Sequence, residues 1–153
     1  MQHAACSGCE LGRRAFVRDF LRDVGAAVVV ALGIPAVARG QTRAYPIPAQ
    51  DGATIDREHE VIVVRWQAAV YAFNLACPHQ NTALRWLGGD SRFQCPKHKS
   101  KYRPDGTFIE GRATRGMDRF AVRREGDAVA VDLDRLYKQP DDPAGWAAAV
   151  VRL

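Results

Sequence analysis

Two short loops constrain this chain more than any other feature of its sequence. Each offers one thiol and one imidazole: Cys77-Pro78-His79 and, after the 15 residues 80–94, Cys95-Pro96-Lys97-His98. Both follow stretches that read as β-strands. In a β-meander, loops at equivalent strand ends face one another, so four side chains of metal-binding type can converge despite their separation in sequence.

The surroundings of these loops agree with a meander. Residues 59–66 (HEVIVVRW) and 69–76 (AVYAFNLA) are rich in β-branched and aromatic side chains and read as a hairpin turning at Gln67-Ala68. Residues 84–87, the Gly88-Gly89-Asp90 turn, residues 91–94, the Pro104-Asp105-Gly106 turn and residues 107–109 continue it. Residues 119–124 and 128–133 flank Glu125-Gly126-Asp127 as a last hairpin, and Pro46, Pro48 and Gly52 mark a lead-in segment before the first strong strand. Asp142-Pro143 has the form of an N-cap followed by proline at N1, which predicts a short helix reaching residues 147–151. The expected architecture is an all-β antiparallel sandwich or barrel with a short C-terminal helix. Trp66, Trp86 and Trp146 lie on apolar patterns and are expected in the core, whereas His3 and His59 have no evident partners. With 153 residues, 47% hydrophobic and 25% charged, the chain accommodates one such domain and a short appendage.

The appendage is N-terminal. Residues 24–38 form a 15-residue apolar run without a charge, preceded by Gly12-Arg13-Arg14-Ala15-Phe16-Val17 and closed by Ala36-Val37-Ala38. As a helix this run spans about 22 Å, short of the roughly 30 Å hydrocarbon core of a bilayer. A positive n-region, an apolar h-region and an Ala-x-Ala end predict an export signal, and the paired arginines followed by Phe16 resemble a twin-arginine signal, a route that exports proteins already folded. The chain therefore divides into a signal or signal-anchor over residues 1–38 and a domain over residues 39–153, expected in the periplasm or on the periplasmic face of the inner membrane. Cleavage at Ala38 and retention of residues 24–38 as a membrane anchor both fit. Export would separate Cys6 and Cys9 from Cys77 and Cys95, so a two-disulfide framework is not expected, and Cys6-Ser7-Gly8-Cys9 reads as leader sequence. The net charge of +5 comes without a long basic run, which argues against a nucleic-acid partner.

Two thiolates and two neutral imidazoles suit either tetrahedral zinc or a [2Fe-2S] centre in which histidines replace the cysteines on one iron. Zinc sites usually place like ligands together, as Cys-x2-4-Cys and His-x3-5-His, whereas here each loop mixes the two types. A zinc-stabilised β binding domain is the alternative of another class.

The arrangement Cys-x-His, 15 residues, Cys-x-x-His, together with the segment Cys95-Pro96-Lys97-His98-Lys99-Ser100-Lys101-Tyr102, resembles the Rieske iron-sulfur family. The resemblance covers most of residues 43–135 and implies a three-sheet β fold with a two-loop cluster-binding subdomain. It also implies a one-electron carrier rather than a catalyst by itself. By that resemblance Cys77 and Cys95 hold the inner iron of a [2Fe-2S] cluster, and His79 and His98 the outer iron near the surface. Ser100 and Tyr102 match the serine and tyrosine that, in quinol-oxidising Rieske subunits, donate hydrogen bonds to a bridging sulfide and a cysteine sulfur.

Two departures stand beside the resemblance. Quinol-oxidising subunits usually carry a further cysteine in each loop, joined as a disulfide, and Thr82 and Lys97 stand at the corresponding positions. Where those subunits carry a proline-rich cover loop, this chain has Met117-Asp118-Arg119 after Gly111-Arg112-Ala113-Thr114-Arg115-Gly116. The implied partners are a c-type cytochrome and a quinol-oxidising or periplasmic dehydrogenase component. An alternative is the electron-transfer small subunit of a periplasmic metalloenzyme resembling arsenite oxidase. Lys97, Lys99, Lys101 and Arg103 are expected to form a basic rim beside the histidines, suited to an acidic redox partner.

Overall fold

The computed structural model describes residues 40–153; the leader reading of residues 1–38 and the Cys6/Cys9 pair lie outside the described residues. Strand β3 (Val61–Trp66) shows how the sequence builds the fold. Its apolar residues do not alternate with polar ones, because both of its faces are covered. Val61 and Val63 join one buried cluster with Val70, Ala72, Phe120, Val129, Val131 and Val151. Ile62 and Val64 face the other way, into a second cluster with Tyr71, Phe73, Leu84, Phe93, Tyr102 and Met117. At roughly 1.5–3 kcal/mol for each fully buried aliphatic or aromatic side chain, these two clusters are the main source of stability.

The first cluster is enclosed by a seven-stranded antiparallel sheet. Its order is β1 (Thr42–Pro46), β10 (Ala128–Tyr137), β9 (Arg119–Glu125), β4 (Ala69–Asn74), β3 and β2 (Gly52–Asp56), with β11 (Val151–Arg152) also pairing with β4. The sheet curls until its edges approach, and the Tyr45 hydroxyl of β1 donates to the Asp56 carboxylate at the end of β2 over 2.9 Å. The second cluster lies between this sheet and a four-stranded antiparallel one, ordered β5 (Arg85–Leu87), β6 (Arg92–Gln94), β7 (Lys101–Tyr102) and β8 (Phe108–Glu110). The all-β expectation therefore holds, with two sheets among the described residues rather than three because the larger one curls over the first cluster by itself, and the smaller sheet is the two-loop subdomain. Among the described residues no helix is long and apolar enough to cross a membrane.

Several boundaries differ from the sequence reading for physical reasons. The segment expected to be a lead-in contains β1 and β2: β1 is mostly exposed and owes its structure to pairing with β10, which no apolar pattern announces. The C-terminal helix α1 (Pro143–Ala148) begins as expected, with the Asp142 carboxylate accepting from the Gly145 amide over 2.7 Å. It stops at Ala148 because the chain there straightens to pair Val151 with Val70. His59 has the partner its sequence context did not reveal, since its Nδ1 lies 2.8 Å from Asp56 Oδ2. Trp146 is buried, and Trp66 and Trp86 pack partly buried against the second cluster, as expected.

Candidate cluster site

The two Cys/His loops have the same main-chain design. In the first, between β4 and β5, the Cys77 amide donates to the carbonyl five residues on, Thr82, and the amide four residues on, Asn81, donates back to the Cys77 carbonyl, both over 2.9 Å. In the second, between β6 and β7, the Cys95 amide donates to Ser100 and the Lys99 amide donates back to Cys95, over 2.9 and 3.0 Å. Asn81 and Lys99, at matching positions, both take left-handed conformations with φ of 53° and 59°. Such a turn points its first side chain inward and exposes its crown. Both cysteines are accordingly buried free thiols, while the histidines are half-buried.

All four sequence-predicted ligands come to one end of the small sheet as two pairs. The Nδ1 atoms of His79 and His98 lie 3.1 Å apart, and their rings cross at 72° with centroids 4.8 Å apart. Two ligands on a tetrahedral ion at about 2.1 Å would be roughly 3.4 Å apart, so this spacing suits nitrogens that share one metal. Cys77 and Cys95 are both buried, and Cys77 is among the groups that lower the Cys95 thiol. Among the described residues no three Cys, His, Asp or Glu side chains gather closely enough to share a single ion. A thiol pair deep in the site and an imidazole pair at its surface fit a two-iron cluster with a different pair on each iron, and fit mononuclear zinc poorly.

The electrostatics agree with that division. Burial alone would raise the Cys95 thiol, but the main-chain N–H groups of His98 and Lys97, with the side chains of Cys77 and Thr82, outweigh it and hold its pKa below the ordinary value. This sulfur is prepared to be a thiolate. His98 is held below the usual imidazole range by desolvation and then by His79, Arg112 and Lys97, which favours the neutral, ligating form.

Ser100 and Tyr102 are fully buried beside the thiols. Tyr102 Oη lies 3.3 Å from Cys77 Sγ, and burial followed by this contact pushes the phenol pKa up, so the hydroxyl keeps its proton. Ser100 Oγ accepts from the Ala113 amide over 3.1 Å, which ties the second loop to the segment after β8. Gly111 makes that approach feasible: it has φ of 117°, and a Cβ there would stand 2.4 Å from Ser100 Cα.

Of the four residues expected to form a basic rim, three are exposed and one is paired. Lys97 and Lys99 are exposed, but Lys101 pairs with Glu110 at 2.5 Å. Arg103 is exposed too, and it lines a cavity of about 250 Å³ with Trp66, Gln67, Tyr71, Asp105 and Arg152. Arg112, which sequence reasoning passed over, is exposed and close enough to depress His98. Its only signal in the sequence is its place in the third segment, Gly111-Arg112-Ala113. That segment is braced by Arg115, which pairs with Asp118, and by the buried Met117, whose amide donates to Gly106 over 2.8 Å.

The chain is similar to several known proteins. The cytochrome b6-f complex iron-sulfur subunit of Chlorobaculum thiosulfatiphilum is 27% identical over 139 residues, which are 81% of this chain and 77% of that subunit. The corresponding subunit of Synechococcus sp. (strain JA-3-3Ab) is 30% identical over 69 residues, 45% of this chain and 40% of that one. A chain in the structure of a hyperthermophilic respiratory Complex III is 21% identical over 76% of this chain and 94% of its own, with a TM-score of 0.47. The model of the Rieske [2Fe-2S] domain matches residues 40–130. This chain belongs to the Rieske family, whose cofactor is the [2Fe-2S] cluster that its two loops are chemically suited to hold.

Proposed function

We propose that Cys77 and Cys95 hold one iron of the cluster, that His79 and His98 hold the other, and that the chain passes single electrons between a quinol-oxidising component and a c-type cytochrome. The observation that carries the ligand assignment is the 3.1 Å approach of the two Nδ1 atoms above a buried thiol pair. When bound, the cluster supplies a one-electron couple, and neutral imidazoles on the outer iron make it easier to reduce than an all-thiolate centre. The protein's part is positional. The paired turns fix the sulfurs inward, and Tyr102 offers a proton to Cys77 Sγ. The half-buried imidazoles leave one edge of the site within reach of a partner. That the relatives are cytochrome b6-f subunits supports placing this chain as a subunit or partner of a quinol-oxidising complex.

Metal analysis tests the assignment. Two irons and two acid-labile sulfides per chain are expected, with loss of the cluster in His79→Ala and in His98→Ala. One zinc without sulfide, or full iron in both variants, overturns it. Placement on the periplasmic side rests on residues 1–38 acting as a twin-arginine signal or anchor. Changing Arg13 and Arg14 to lysine keeps their charge and should leave the protein in the cytoplasm; unchanged export refutes that route.

A further inference from the structure

Arg119 is the first residue of β9 and is 4% exposed, yet no carboxylate pairs with it among the described residues. Its Nη1 donates to the Trp146 carbonyl over 2.7 Å and its Nη2 to the Asp105 carbonyl over 2.6 Å, while Nε has no partner. The guanidinium carbon lies 3.5 Å from the centroid of the Trp146 ring, 4.9 Å from that of Tyr71 and 5.9 Å from that of Phe73. Three further contacts close a ring around it: Met117 N–H donates to Gly106, Trp146 Nε1 donates to the Met117 carbonyl, and Asn74 N–H donates to Asp118. Desolvation lowers its pKa to about 10, with Tyr71 and the Asp105 carboxylate favouring the charge and Arg152 opposing it. At neutral pH the interior thus contains a cation answered by carbonyl dipoles and aromatic faces, with no close counter-charge. Burying such a charge is costly, and neutral donors could tie the same carbonyls together.

The charge lies in the foundation of the cluster subdomain. Phe73 pairs directly with Arg119 across β4 and β9, and Cys77 lies four residues beyond Phe73, in the loop after β4 and at most about 14 Å away along the chain. That places the guanidinium within about 20 Å of the loop through protein interior, where salt screens weakly.

We infer that Arg119 is an electrostatic tuning residue whose buried positive charge stabilises the reduced cluster and raises its reduction potential. The inference rests on the cluster occupying the two loops. Reduction adds one negative charge to the site, so a fixed cation favours the reduced state whatever its hydrogen bonds do. With an effective dielectric near 20 and a separation of about 20 Å, the interaction is worth roughly a fourfold change in the equilibrium with a fixed redox couple.

The experiment compares Arg119→Met, Arg119→Lys and Trp146→Phe by voltammetry at pH 6, each with its iron and sulfide content measured. Arg119→Met removes the charge and keeps an apolar stem against Trp146. It should shift the equilibrium about fourfold toward the oxidised state. Arg119→Lys keeps the charge, and Trp146→Phe removes only the Nε1 bond to Met117; both should stay within about twofold of the parent even where they melt earlier. A parental potential in Arg119→Met, or an equal fall in all three variants, overturns the inference in favour of a purely structural role. If Arg119→Met fails to fold, Arg119→Lys still decides. A buried lysine without a close counter-charge loses its proton at lower pH than arginine, so its potential should fall below the parent's as pH rises. Parallel pH profiles overturn the inference. A parent chain without iron and sulfide overturns it together with the ligand assignment, whereas an intact cluster with insensitive potentials overturns the tuning alone.

Discussion

Replacing Tyr102 with phenylalanine isolates one hydrogen bond. The ring is fully buried and packs at 5.9 Å against Phe108, and phenylalanine keeps both contacts, so the substitution removes little beyond the hydroxyl. That hydroxyl stands 3.3 Å from Cys77 Sγ. With the sulfur held as a thiolate the phenol must be the donor, and a hydrogen bond to a charged acceptor contributes about 1.5–3 kcal/mol. Both oxidation states keep the bond, so only its strengthening on reduction moves the potential. Taking that fraction as about 1 kcal/mol, and 59 mV for each tenfold change in a one-electron equilibrium, Tyr102→Phe should lower the potential by roughly 40 mV. Folding stability should fall by about 1.5–3 kcal/mol, and iron content should not change. Voltammetry and chemical denaturation of the same preparation read both numbers. A potential within a few millivolts of the parent, at full iron content, would refute the claim that this hydroxyl acts on the cluster.

Other perturbations probe the frame around the site. Gly111→Ala places a methyl against Ser100 Cα at a φ of 117°, and should cost at least about 2 kcal/mol in denaturant unfolding; parental stability would show that the third segment does not press on the second loop. Asp56 is held to a pKa of about 2, chiefly by the His59 amide and then by the side chains of His59 and Tyr45. A depressed carboxylate contributes stability above its unfolded pKa near 3.9, and that contribution drains as pH falls through about 2. Asp56→Asn should therefore flatten the acid limb of the stability curve, and an unchanged limb counts against the assignment. Lys97→Glu with Lys99→Glu should slow electron transfer to an acidic acceptor, as added salt does in the parent, without altering the visible spectrum. A rate equal to the parent's at low salt places docking elsewhere.

How much of this was legible in the sequence depended on which interactions each residue answers to. Val61, Ile62, Val63 and Val64 announce β3 because both faces of the strand need apolar side chains, and the Asp142-Pro143 start of α1 is local chemistry. Cys77, His79, Cys95 and His98 were singled out by spacing, and the fold brings the two histidines within 3.1 Å of each other. What stayed hidden was set by partners far along the chain. Strand β1 exists through Thr42 to Pro46 pairing with residues 132 to 128 of β10. The helix expected to reach residue 151 ends early because Val151 has a place beside Val70. Arg103 reads as one more member of a basic series, and nothing local announces that it also lines a cavity with Trp66 and Tyr71. The role of Arg119 depends on three aromatic rings from β4 and α1.

The missing disulfide ties these observations together. With Thr82 and Lys97 where quinol-oxidising relatives of this type usually carry cysteines, no covalent bond joins the two loops. Each loop is closed instead by its own pair of main-chain hydrogen bonds, and Thr82 is among the groups that hold the Cys95 thiol below its ordinary pKa. The residue at the disulfide position thus still acts on the second loop, through the charge state of a sulfur that serves as a proposed ligand. The third segment adds the Ala113 bond to Ser100, and Lys101 with Glu110 braces the adjacent strands. Such a frame is a sum of contacts each worth about 1 kcal/mol, so it holds the loops only while most of them are made together. The cluster itself would supply the strongest connection between the loops. On the proposed ligand assignment the cofactor would then be part of what holds its own site closed, a duty that a disulfide would otherwise share.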